Sequence, residues 1–239
     1  MNEYEKILAI VSDLGYPVSP DFTILDLGCG TGEGVYFLKS QNFSNIWGCD
    51  FEQSLPQAHL REEFFMPIQS PYKLPFDDNT FDFIYTSQVF EHIQDYSITL
   101  SEMARILKPN GFSLNIFPPK WRWIEPHVYV PLAGAIQKKW WLTLWAYLGV
   151  KNQFQESLTP LEIAQINYYY LTHSTNYLST QTIYDLSKHF FREVKFCELY
   201  KFKYSRYSSL YLLPLLLRIT FLLQAYLCNF NMKVLFLKK

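Results

Sequence analysis

Asp26-x-Gly28-x-Gly30-x-Gly32, with Gly34 two residues on, follows the short apolar run Phe22–Leu27. A strand that stops at a glycine turn presents backbone N–H groups at its carboxyl end, where ligands of open sheets bind. A dinucleotide loop of the form G-x-G-x-x-G needs a glycine at position 33, which here is Glu33. A phosphate-binding loop needs Lys and then Ser or Thr after its last glycine, and neither follows Gly34. Asp26 before the turn repels a pyrophosphate but suits a ligand carrying an ammonium group, which points to a zwitterionic nucleoside rather than a nicotinamide dinucleotide. Asp50 stands directly after the next apolar run, "NIWGC", where a carboxylate has few structural reasons to be. Gly34 reads as helix packing more than as a ligand contact.

Two histidines are candidate bases, since histidine is the side chain whose ordinary pKa lies nearest neutrality. His92 lies in "FEHI" and His127 in "WIEPHVYVP", with Glu125 two residues upstream to orient it. His59, His173 and His189 have no constellation around them. The four cysteines (29, 49, 197, 228) show no metal-ligand spacing, so reduced thiols and no metal are expected. Cys29 reads as a small filler, because no neighbour lowers its pKa.

These groups need elements to hold them. Phe22–Leu27 reads as a buried strand, Gly28–Gly34 as a turn and Gly34–Ser40 as a helix. Asn45–Cys49 is a second strand ending at Asp50, and a proline-broken, irregular stretch follows. Phe81–Thr86 is another strand and Tyr96–Leu107 a helix stopped by "KPNG"; Phe112–Phe117 is the next strand. Strands alternating with helices predict an α/β parallel sheet covered on both faces. Upstream, Tyr4, Ile7, Leu8, Val11 and Leu14 repeat at helical spacing. The alternation breaks between Pro118 and Ser187, where an aromatic, helical cap is expected, and Phe190–Leu199 and Lys233–Leu237 read as late strands.

Four ordered motifs carry a family resemblance: "ILDLGCGTG" from Ile24, "GCD" ending at Asp50, "LPFDDNTFDFIYTSQVFEHI" from Leu74 to Ile93, and "EMARILKPNGFSLNIFPP" from Glu102. Together they resemble the class I S-adenosylmethionine-dependent methyltransferases, in particular the small-molecule, type 11 branch, over about Phe22 to Pro118. The resemblance implies a Rossmann-like, doubly wound, mostly parallel seven-stranded sheet with helices on both faces. It also implies roles for individual residues. Asp26 would orient the amino group of S-adenosyl-L-methionine, and Gly28, Cys29, Gly30 and Gly32 would approach its methionine moiety and ribose through the backbone. Asp50 would hold the ribose hydroxyls and Phe51 would lie against adenine; Ser87 and Gln88 would lie under the methionine part near the sulfonium. Where the family often has an acid for the adenine amino group, this chain has Ser70, so that contact would fall to the Ser70 hydroxyl and the Pro71–Tyr72 backbone. His92 and His127 are the catalytic candidates.

The chain has 239 residues and a net charge of −1, which gives no overall attraction to nucleic acid. It reads as a single methyltransferase domain: a cofactor core over 1–118, a cap or substrate insertion over 119–187, and late strands over 188–239. Aromatic residues make up 18%, and five of the six tryptophans lie between Trp121 and Trp145. Trp, Tyr and Lys mixed on a helix suit a membrane interface. From Lys195 to Lys239 eight Lys and Arg face the single Glu198, around the apolar segment Tyr207–Leu227, a candidate lid, dimer surface or interfacial hairpin. The opening run carries acidic residues and only Lys6, unlike a signal peptide, so a cytoplasmic protein with peripheral contact at the inner membrane face is expected. The predicted activity is O-methylation of a small or lipid-linked acceptor, a saccharide among the possibilities. N- or C-methylation of a lipid or quinone, a cofactor-binding module without catalysis, and a nicotinamide dehydrogenase are the rivals.

Overall fold

The computed structural model describes residues 1–68, 73–204 and 232–239. Seven strands, β1 (Ile24–Leu27), β2 (Ile46–Phe51), β3 (Phe65–Ile68), β4 (Phe81–Ser87), β5 (Leu107–Phe117), β6 (Glu193–Phe196) and β7 (Lys233–Lys238), form one sheet in the order β3-β2-β1-β4-β5-β7-β6. The first five run parallel, and β7 lies antiparallel to both β5 and β6. The strand order reverses between β1 and β4, which opens a crevice at their carboxyl ends, where sheets of this kind bind ligands.

Helices α1 (Glu3–Asp13), α2 (Glu33–Ser40), α3 (Tyr96–Ile106), α4 (Lys139–Tyr147), α5 (Pro160–His173), α6 (Thr180–Ser187) and α7 (Glu198–Lys203) complete the described chain. Local chemistry starts them where they start. Asn2 with Glu5 and Thr159 with Glu162 each form a capping box, and Asp95 and Ser179 cap α3 and α6. Successive residues of β1 alternate between faces, so Ile24 packs with Ile7, Ile10, Val35 and Leu38, while Leu25 packs with Leu100, Met103 and Ile106. A third cluster, Val128, Val130, Leu142, Ala146, Ile163 and Leu171, joins α4 and α5 to the loop after β5.

Several boundaries differ from the sequence reading. The stretch expected to be irregular contains β3, which pairs with β2 from Gly48↔Phe65 to Phe51↔Ile68. Asp50 therefore lies inside β2, one residue before its end. "KPNG" does stop α3, but its residues continue directly as the start of β5, with a register shift between Phe81 and Phe83. Only Glu193–Phe196 of the expected strand 190–199 is extended, and α7 begins at Glu198. Within 119–187, α6 packs on the sheet side, with Ile183 among the residues around α3. Ser70, Tyr72 and the apolar segment 207–227 lie outside the described residues. Among the described residues no helix is long and apolar enough to cross a membrane.

Candidate functional site

The crevice is built by backbone. At the end of β1, Gly28 donates its N–H to the Cys49 carbonyl at 2.7 Å, which ties the turn to β2. Gly28 has φ +81°, and a Cβ there would overlap the Val89 side chain just beyond β4, so only glycine lets the two strand ends meet. The Asp50 carboxylate accepts the Gly30 N–H at 2.8 Å and the Phe51 N–H at 2.7 Å. A carboxylate has about four lone-pair sites, so acceptor capacity remains for a diol. Gly28, Asp50, Phe51, Val89 and His92 line a cavity whose apolar walls are Leu27, Ile68, Leu74 and Ile93.

Asp26 lies beneath this loop rather than in the cavity wall. It is 5% exposed, and a Cβ at Gly34 would overlap both its carboxylate and the Tyr85 hydroxyl. Gly34 is thus the gap that lets α2 close over Asp26, in keeping with the packing role read from the sequence. Burial pushes the Asp26 carboxyl up to about 7, and the charges of Asp50 and Glu3 add to that against the opposing effect of the Tyr85 hydroxyl. Cys29 is buried, and burial pushes its thiol up, so it is no nucleophile. Gly32 starts α2. Ser87 turns toward α1, donating its hydroxyl to Glu3 at 2.6 Å, and Gln88 is exposed with its N–H on the Ile116 carbonyl at 2.7 Å.

The fold brings the two candidate histidines together. His92 sits on the short helical turn Phe90–His92 after β4, and its Nδ1 is 2.8 Å from the Ser174 carbonyl beyond α5. Asn176 clamps the same turn, donating its backbone N–H to the Glu91 carbonyl at 2.7 Å. His127 sits in the loop after β5, its Nδ1 2.6 Å from Glu125 Oε1. The rings stand 5.0 Å apart between centroids, at 76°. Glu125 is 1% exposed and accepts hydrogen bonds from the His127 and Val128 N–H groups (2.8 and 2.7 Å) and the Tyr177 hydroxyl (2.7 Å). Burial alone would raise its pKa; the hydrogen bonds from His127, Tyr177 and Val128 overcome this and hold the carboxyl below its usual range. Burial lowers the pKa of His92, which favours the neutral imidazole. His127 also lines a second cavity of about 340 Å³, with Tyr129, Asn152, Gln155, Asn167 and Tyr170. The imidazole pair thus stands between the crevice at the glycine turn and a cavity in the cap.

Glu91, Tyr177 and Asn167 join this site without having been singled out in the sequence. Glu91 had a signal, a carboxylate beside His92 just past a strand. Tyr177 and Asn167 had none, because only the tertiary fold brings them to residues some fifty or twelve positions away.

Residues 25–114 match the family model described as a methyltransferase domain. An uncharacterized methyltransferase of Schizosaccharomyces pombe is 38% identical over 103 residues, 37% of each chain. A demethylmenaquinone methyltransferase of Bacillus licheniformis is 35% identical over 96 residues, 37% of this chain and 41% of its own. The chain thus spans about two fifths of the length of these curated relatives. A solved SAM-dependent methyltransferase from Archaeoglobus fulgidus superposes with a TM-score of 0.52 at 16% identity, covering 100% of this chain and 95% of its own, and so shares the fold. The glycine turn, the acid of the second strand and the sheet order, together with these matches, show that the chain carries a class I S-adenosylmethionine-dependent methyltransferase domain.

Proposed function

We propose that this protein transfers a methyl group to an oxygen of a small or lipid-linked acceptor, a saccharide hydroxyl included, held in the cavity of the cap. The observation that carries this reading is the His92–His127 pair, which lies between that cavity and the cofactor crevice. S-adenosylmethionine, when bound, supplies a methyl group on a positively charged sulfonium. Its features fit the residues present: Asp50 keeps acceptor capacity for a ribose diol, Gly28 and Phe51 line the same cavity, and the Asp26 carboxyl lies beneath the glycine turn.

Methyl transfer is an in-line displacement, so positioning and exclusion of water supply much of the rate. The acceptor hydroxyl must also lose its proton. With Nδ1 of His127 fixed by Glu125 and Nδ1 of His92 by the Ser174 carbonyl, each ring keeps Nε2 for the site, and this cluster is where the hydroxyl is activated. Gln155 and Asn167, hydrogen-bonded to each other at 2.6 Å, give the cavity polar groups to orient a hydroxylated acceptor. His127→Ala should lower turnover by about 10²–10⁴-fold while cofactor affinity holds; unchanged turnover would remove the cluster from the reaction.

The demethylmenaquinone relative favours a second reading, C-methylation of a quinone ring. Carbon-13-labelled methyl donor and NMR of the product separate the two, since an ether methyl supports our reading and a ring-carbon methyl supports the second. We further propose peripheral contact with the cytoplasmic face of the inner membrane. Trp121, Trp123, Trp140, Tyr147, Phe154 and Tyr169 are all more than half exposed, with the exposed Lys138, Lys139 and Lys151 among them. Flotation with anionic liposomes that is lost on W140S/Y147S supports the contact; a wild-type protein that stays at the bottom of the gradient refutes it.

A further inference from the structure

We propose that Glu91, His92 and His127 bind one divalent transition-metal ion, of the zinc, iron(II) or manganese class, at the boundary between the cofactor crevice and the cap cavity. The existence of this site stands on geometry alone. Its role in activating the acceptor rests on the reading given above.

Three observations carry it. One ligand atom from each of the three residues lies within 4.8 Å of the others. Ligands about 2.0–2.1 Å from a tetrahedral ion stand roughly 3.3 Å apart, so small side-chain movements complete the set. Second, Glu91 is 1% exposed, yet neither of its carboxylate oxygens has a hydrogen-bond partner among the described residues. A buried carboxylate is costly unless paired or bound to a metal, and a cation at this point supplies what the protein leaves missing. Third, the outer contacts of both imidazoles are those of metal ligands. Such histidines give their second ring nitrogen to a backbone carbonyl or a carboxylate, which fixes the tautomer and orients the ring. Nδ1 of His92 meets the Ser174 carbonyl at 2.8 Å, and Nδ1 of His127 meets Glu125 at 2.6 Å. Glu125 is itself held by the Tyr177 hydroxyl and two backbone N–H groups.

Two imidazoles and one carboxylate select a borderline ion over magnesium or calcium, which take oxygen ligands. Three protein ligands leave coordination positions open, as in catalytic rather than structural sites. A hydroxyl entering from the cap cavity can take such a position, where a bound cation stabilises its ionised form and the released proton passes to solvent water in that cavity. The imidazoles then act on the acceptor through the ion. No metal was expected from the sequence because cysteine spacing was the only signal read; the three ligands come from two segments that meet only in the fold.

The test uses the full chain, stripped with a chelator and titrated with Zn²⁺ or Co²⁺ by calorimetry, with the visible spectrum of the Co²⁺ form as a second readout. We expect one equivalent bound by wild type. Glu91→Gln, His92→Ala and His127→Ala should each lose at least tenfold in affinity, and Glu125→Gln, which touches no ligand atom of the ion, should lose about 10–100-fold. Binding of S-adenosylhomocysteine reports that each variant remains folded. Less than one fifth of an equivalent on wild type, or unchanged Co²⁺ spectra in Glu91→Gln and His127→Ala, overturns the proposal. Full methyl transfer by the stripped protein would overturn the ion's role in activating the acceptor while leaving the methyl-transfer reading intact. Stoichiometric metal that the variants lose, in a protein without methyl transfer, would uphold the site and sink that reading instead.

Discussion

Replacing Asp26 by asparagine should flatten the dependence of stability on pH. Folding raises this carboxyl from 3.8 to about 7, burial being the main cause. A group raised on folding contributes stability that is fully present below the unfolded value and is lost as pH rises through the folded one. Asp26 therefore favours the folded state below about pH 4, and that contribution disappears between there and about pH 7. At 1.36 kcal/mol per pKa unit the full loss is on the order of 4 kcal/mol, of which roughly 2–3 kcal/mol falls between pH 5 and pH 8. Asp26 is 5% exposed, so solvent screening takes little from that figure. Glu91, pushed up to about 7 mainly by burial, acts in the same direction, so the wild-type slope alone does not isolate Asp26. The difference between the two proteins does. Both should be denatured with urea at pH 5 and pH 8 in the presence of a chelator. Over that interval the Asp26→Asn variant should lose roughly 2–3 kcal/mol less than wild type. Equal losses would refute the argument that this carboxyl is desolvated. If it also faces the cofactor's ammonium group, binding should release a proton near pH 6.5, which calorimetry in buffers of different ionisation enthalpy would detect.

Three further outcomes follow. Asp50→Ala should weaken binding of S-adenosylhomocysteine by about 1–3 kcal/mol, measured by calorimetry, and unchanged affinity would remove Asp50 from the ribose contact. Gly28→Ala should cost about 1–3 kcal/mol or more in thermal denaturation, because its φ of +81° and the Val89 side chain both oppose a Cβ; adding Val89→Ala should recover only the steric part. Lys233 and Glu198 form an ion pair 3.0 Å long with side chains 5% and 6% exposed. Removing the lysine amine with Lys233→Met should cost about 3–5 kcal/mol, and Lys233→Met with Glu198→Leu should cost less than the single change.

The parts of the site that rest on local signals were legible before the fold was known. The turn after β1 needs its glycines within a few residues of one another, Asp50 follows its own strand, and Glu125 reaches His127 across two positions. β3 escaped notice because it is short and includes Pro67, and its place is set by pairing with β2 rather than by its own pattern. α6 looked like part of the cap because it follows the aromatic stretch directly, although its apolar face belongs to α3. The meeting of His92 with His127, and the burial of Glu91 beneath them, depend on where the loop after β5 and the exit from α5 cross. No spacing encodes that crossing.

The order β5-β7-β6 has a consequence for how the protein is made. β6 is synthesised well before β7, yet its hydrogen-bonded neighbour in the sheet is β7, and β5 also offers that edge to β7. Between Phe117 and Lys233 the ribosome needs on the order of ten seconds at about 5–20 residues per second. For that interval the edge of β5 lacks the strand that covers it in the finished sheet. A nascent chain in this condition invites capture by chaperones or pairing with another copy. The sheet that holds the cofactor crevice thus reaches its final width only after residues 233–238 have been made.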